Sequence, residues 1–168
     1  MSNVTRTLRT TAALALAASL LGCALNAGRV VPGSSAADVR ALAGSPSEQR
    51  SLPDGVKAWY YEMGPEGFTT YRIRLDANDR VLDAEQVLTE RNFRASLTAA
   101  RTTREEVLDA FGRPALVTRF PNLAEEVWTY RYRDGTQEML NDIHFEAATG
   151  IVRSYSLYPD PAYTVYLG

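Results

Sequence analysis

The chain reads as an α+β protein made of two tandem repeats, each a short helix or helix pair packed on a three-stranded antiparallel sheet. Three observations predict this. The chain resembles itself at a shift of about 70 residues, two segments carry matching helix start and stop signals, and strand-like alternation follows each of them.

The helix signals come first in each copy. Ser35-Ala36-Ala37-Asp38-Val39 leads to Ala43-Gly44-Ser45-Pro46, and Thr103-Arg104-Glu105-Glu106-Val107 leads to Phe111-Gly112-Arg113-Pro114. A hydroxyl residue followed three positions later by an acid forms a capping box, which satisfies amide groups that have no partner inside the helix. Glycine then permits a left-handed cap and proline blocks continuation, so each segment predicts a helix of about nine residues. Between the copies, residues 90–100 carry Phe93 and Leu97 at i, i+4 and predict another short helix.

Strand chemistry follows at residues 56–62, 68–76 and 81–88 in the first copy, and at 125–133, 139–146 and 151–158 in the second. Trp128, Tyr130 and Tyr132 alternate with Thr129, Arg131 and Arg133, while Tyr71, Ile73 and Leu75 oppose Arg72 and Arg74. Such faces suit antiparallel sheets covered on one side. Asn78-Asp79, Asp134-Gly135 and Thr149-Gly150 supply residues that tolerate positive φ at the hairpin turns. Trp59-x-Tyr61 and Trp128-x-Tyr130 occupy equivalent strands of the two copies. These aromatics form either a core under the helices or a recognition surface, and core packing is the expectation.

Composition narrows the function. Beyond residue 22 the chain has 146 residues with 16 basic and 20 acidic groups, a net charge of −4, and Lys57 is its single lysine. Nucleic-acid binding needs a concentrated cationic surface, so it is not expected. His144, the one histidine, shares a strand face with Asp142 and Glu146. An Asp-x-His-x-Glu stripe on one open strand lacks the enclosure of a zinc site, and neither a metal nor a cofactor is expected. A nucleophile elbow and a phosphate-binding loop are both missing from the sequence, so no catalytic residue is assigned. The outward groups Arg72, Arg74, Arg131, Arg133 and Tyr163 are the expected partner contacts.

The N-terminus speaks to location. Arg6 and Arg9 precede an apolar run over 11–21, which is shorter than the roughly 20 apolar residues that span a bilayer and has the form of a signal peptide. Leu20-Leu21-Gly22-Cys23 resembles the lipobox of bacterial lipoproteins, in which the cysteine is acylated and becomes the new N-terminus. The alternative is an ordinary secretory signal that leaves Cys23 as a lone thiol. Acylation accounts better for an exported chain with a single cysteine. Several acyl chains would hold it stably, at about 0.8 kcal/mol per buried methylene. Ala24 after the cysteine implies, by the same resemblance, the outer membrane of a Gram-negative bacterium, with the protein facing the periplasm.

The second copy resembles the SmpA/OmlA (BamE-like) family of outer-membrane lipoproteins, through residues 103–114, Val127-Trp128-Thr129-Tyr130, Asn92-Phe93 and Gly150-Ile151-Val152. The first copy matches through Gly33-Ser34-Ser35, Asp38-Val39, Gly44-Ser45-Pro46, Trp59-Tyr60-Tyr61 and Asp79-Arg80-Val81. The doubled form is similar to the tandem fold of the β-lactamase inhibitor protein. The resemblance implies a non-catalytic binding or scaffold module for outer-membrane protein assembly or envelope integrity. Its partners would be the membrane, through the lipid, and an envelope protein such as the assembly machinery. The alternative it implies is an inhibitor or sensor of a periplasmic enzyme. The expected organisation is a signal peptide over 1–22, a lipidated tether over 23–32, repeats over 33–88 and 89–158, and an extended tail over 159–168.

Overall fold

The structure, a computed structural model, describes residues 24–64 and 66–163. The leader, Cys23 and the end of the tail lie outside the described residues. No helix among those described is long and apolar enough to cross a membrane.

The first repeat contains α1 (Ala36–Ala43), β1 (Glu48–Ser51), β2 (Lys57–Met63), β3 (Thr69–Leu75) and β4 (Val81–Gln86). The second contains α2 (Glu90–Ser96), α3 (Arg104–Phe111), β5 (Leu116–Phe120), β6 (Glu125–Asp134), β7 (Gln137–Glu146) and β8 (Val152–Pro159). Each repeat forms one antiparallel sheet in strict sequence order, β1-β2-β3-β4 and β5-β6-β7-β8.

Each sheet therefore has four strands, where alternation predicts three. β1 reads Glu-Gln-Arg-Ser, with no apolar face to betray it. β5 is apolar on both faces yet almost wholly exposed, so it has no period-two contrast either. Both are edge strands, placed by pairing with a neighbour rather than by burial of their own side chains.

Both predicted capping boxes form. Ser35 Oγ accepts from the Asp38 amide at 3.1 Å and Thr103 Oγ1 from the Glu106 amide at 3.3 Å, and each carboxylate reaches back to the cap amide. Gly44 and Gly112 end the two helices at φ 77°, ψ −157° and φ 73°, ψ −159°. This is not the left-handed helical well expected from the sequence, but an extended positive-φ region that is essentially closed to residues with a Cβ. Each helix start is tied to the hairpin of its last two strands: the Ala36 amide donates to Asp79 O and the Arg104 amide to Gly150 O, both at 2.9 Å.

The helices cover one face of each sheet and bury the aromatic stripes. Trp59, Tyr61, Ile73 and Leu75 meet Val39 and Ala43 in the first core. Trp128, Tyr130, Tyr132, Ile143 and Phe145 meet Phe93, Val107 and Phe111 in the second. Burial of each such ring contributes about 2–3 kcal/mol. Tyr61 donates its hydroxyl proton to Gly44 O and Tyr130 to Gly112 O, at 3.2 and 2.8 Å, so the equivalent tyrosines each cap the end of the helix above them.

Two boundaries differ from expectation. Residues 24–32 are not a free tether: Ala24–Arg29 is a 3₁₀ helix whose Ala27 is fully buried, and Val30 is nearly so. Spacing of three places both small apolar side chains on one side of a 3₁₀ turn, where they join the first core. At the other end, Pro159 still belongs to β8, whose outer edge needs no donor from it. Tyr163 folds back on the first repeat, donating to Glu66 Oε2 at 2.6 Å and meeting the Phe68 ring edge-on at 5.6 Å.

Candidate functional site

Each sheet has a second face, turned away from its own helices, and the two repeats treat that face differently. In the first repeat it is covered. Tyr60 alternates with Trp59 and Tyr61, so it points away from α1, yet it is 1% exposed because α3 of the second repeat lies on it. Its hydroxyl donates to Asp109 O at 2.7 Å, and Arg72 Nη1 donates to Asp109 O and Ala110 O at 3.2 and 3.3 Å. Helix C-terminal carbonyls have no partner within the helix and carry the negative end of its dipole, so a hydroxyl and a guanidinium suit them.

The edge strand completes this grip. Arg50 pairs with Asp109 at 2.7 Å and with Glu105, while Glu48 Oε2 accepts from the Arg113 amide at 3.0 Å. Burial works against the Arg50 charge, but the two carboxylates outweigh it and hold its pKa above the ordinary value. Burial also pushes the Tyr60 phenol well above its usual range. Gly112 is required here twice over, since a Cβ would lie 2.9 Å from the Tyr60 ring.

In the second repeat no described element covers the equivalent face. Pairing aligns Trp59 with Ile73 and Trp128 with Ile143, so Tyr60 and Arg72 correspond to Thr129 and Asp142, and Glu48 and Arg50 to Leu116 and Thr118. These residues line a concavity of about 480 Å³ with Phe120, Val127, Arg131, Leu140, His144 and Tyr158. Its apolar rim comes from β5, where Leu116 and Phe120 are 58% and 42% exposed.

The floor is polar and already organised. Asp142 accepts from Thr129 Oγ1 and from the Tyr158 hydroxyl, each at 2.6 Å. Burial, and then this carboxylate, push the Tyr158 phenol up to about 12. His144 Nδ1 lies 3.1 Å from Glu125 Oε1. Both members of the Asp142–His144 stripe thus face the concavity but bond to different neighbours, and Glu146 accepts from Thr149 Oγ1 instead. No group of three metal-ligating side chains occurs among the described residues. The floor offers hydrogen-bonding groups in fixed positions, which suits recognition of a complementary surface.

The expected contact residues divide. Arg72 is engaged inside the molecule with α3, and with Glu85 at 3.3 Å. Arg74 pairs with Asp83, its Nε at 2.8 Å from Oδ2. Arg133 pairs with Glu138 at 3.3 Å and stacks over Phe68, and Tyr163 is held by Glu66. Arg131 lines the open concavity and makes no ion pair among the described residues. Leu116, Phe120, Leu140 and Tyr158 complete the face and escaped the sequence reading. The β-rich run Leu-Val-Thr-Arg-Phe before Pro121 is the signal that could have found the first two. The paired tryptophans and tyrosines are core groups: Trp128 is 7% exposed and donates its indole proton to Glu126 at 2.7 Å.

No family model matches the chain, and no curated protein does. SmpA/OmlA membership therefore gains no support from them. Two solved structures are similar at low level. A DUF4309 family protein, YjgB, from Bacillus subtilis subsp. subtilis str. 168 is 15% identical, over 76% of this chain and 79% of that one, with a TM-score of 0.31. A "putative beta-lactamase inhibitor protein" from Streptococcus mutans is 11% identical, over 79% of this chain and 93% of that one, also with a TM-score of 0.31. Superpositions this loose carry no argument about activity or partner.

Proposed function

We propose that this chain is a binding module that holds a protein partner on the open face of its second sheet. One observation carries the reading: the face that receives a helix in the first repeat is left uncovered by the described residues in the second, and bears an apolar rim beside a pre-bonded polar floor. A mixed apolar and polar concavity of this kind is what protein recognition uses, with apolar contacts for affinity and fixed polar groups for orientation. We further propose, from the leader and Cys23 alone, that a lipid presents the module from a bacterial envelope membrane toward the periplasm. A scaffold for outer-membrane protein assembly and an inhibitor of a periplasmic enzyme both fit such a face.

A photoreactive residue at Thr129 tests the proposal in intact cells. Thr129 should crosslink to a partner protein that a probe at Gln49, on the first repeat's edge, does not reach. Arg131→Glu and Leu140→Lys should remove that product while leaving the melting temperature within a few degrees. Equal labelling from both probe positions would refute the binding face. Fractionation of Cys23→Ser addresses the anchor separately: the variant should become soluble, and an unchanged membrane fraction would refute acylation.

A further inference from the structure

We propose that β5 is a self-association edge, through which two copies of this chain pair to form one continuous eight-stranded sheet. β5 ends the order of the second sheet, so among the described residues one row of its backbone donors and acceptors has no strand beside it. Edge strands in monomers are usually blunted by charge, proline or twist. β1, at the same position of the first repeat, follows that practice with Glu48, Gln49, Arg50 and Ser51. β5 does the reverse: Leu116, Val117 and Phe120 are 58%, 39% and 42% exposed, with Leu123 just beyond at 63%.

The order of side chains selects a second copy as the occupant. Antiparallel pairing about a two-fold axis through Thr118 sets Leu116 of one copy opposite Phe120 of the other, twice. It sets Arg119 opposite Val117 and Thr118 opposite Thr118, so no like charges meet. The one charge in the strand is already answered within its own chain, because Arg119 Nε lies 2.8 Å from Glu126 Oε2. Pro114 and Pro121 bracket the segment and keep any pairing short. Leu116, Thr118 and Phe120 also line the open concavity, so the seam would join the two open faces into one.

Sedimentation and disulfide trapping, with Cys23 replaced by serine in every sample, test this without any binding partner. The parent chain should sediment as a dimer, and Thr118→Cys should form an interchain disulfide on mild oxidation. Gln49→Cys on the β1 edge should not. Phe120→Lys should weaken dimerisation at least tenfold while leaving the circular dichroism spectrum of the folded chain unchanged. A monomer at every concentration, trapping through Gln49→Cys as readily as through Thr118→Cys, or a dimer indifferent to Phe120→Lys would each overturn it. Because no partner takes part, failure here leaves the partner-binding proposal standing, and failure to capture a partner leaves the dimer standing.

Discussion

The two repeats share a local code and diverge on their back faces. Their capping boxes, glycine exits, Trp-x-Tyr strands and helix-to-hairpin ties correspond one to one. On the reverse of each sheet, Glu48, Arg50, Tyr60 and Arg72 clasp the end of α3, while their counterparts Leu116, Thr118, Thr129 and Asp142 face outward. A duplicated unit can thus use one face to join its twin and leave the other copy's face available. The chemistry follows the use: a guanidinium and a tyrosine where helix carbonyls must be satisfied, and an apolar rim beside hydroxyls bonded to Asp142 where no described element arrives.

The comparison breaks most sharply at the Tyr60 and Thr129 pair. Tyr60→Ala should cost about 4 kcal/mol, since it removes a buried ring and one of the two donors to Asp109 O. Thr129→Ala should cost less than about 1 kcal/mol. Equal losses in chemical denaturation would mean that the second face is covered too. Next in size, Gly112→Val should destabilise by about 3 kcal/mol, through its positive φ and the approach to Tyr60. Gly33→Val, at positive φ in open space, should cost less.

Smaller effects sharpen the interface between repeats. Arg50→Met should cost about 1 kcal/mol, because the Asp109 pair is only partly shielded from water and the Glu105 end is exposed. Double-mutant coupling to Asp109→Asn reads that interaction directly. The smallest expected change concerns acid. Ser35 lowers the Asp38 pKa by hydrogen bonding, and Thr103 does the same for Glu106. Carboxylates depressed in the folded state stabilise above their unfolded pKa, and that contribution is lost as pH falls through the folded one. Stability should therefore decline below the ordinary carboxylate range, and Ser35→Ala with Thr103→Ala should flatten the decline. A melting curve with the same acid slope in the double variant would exclude the cap hydroxyls as its source, the cap amides being left in place.

Much of the fold is legible in the chain because its signals are short in range. Ser35 with Asp38, Thr103 with Glu106, and Trp128-x-Tyr130 each act within four residues or one strand period, so hydrogen bonding and burial there follow from spacing alone. Cys23 and its leader are likewise a reading of the sequence. The open site is half legible: alternation alone turns Arg131 outward, while no period-two contrast singles out Leu116, Phe120, Leu140 or Tyr158.

Residue order by itself determined the duplicated helix-and-sheet plan, the caps that end each helix, and the faces of the central strands. Only the tertiary structure decided that Glu-Gln-Arg-Ser is a strand, that Ala27 and Val30 close a core, that Arg72 holds a helix from the other repeat, and that no described element covers the back of the second sheet. The reason is distance along the chain. A cap or an amphipathic strand is specified by neighbours within a few positions, whereas coverage of a sheet's second face depends on where residues 105–113 come to rest against residues 48–72, and no local pattern encodes that contact.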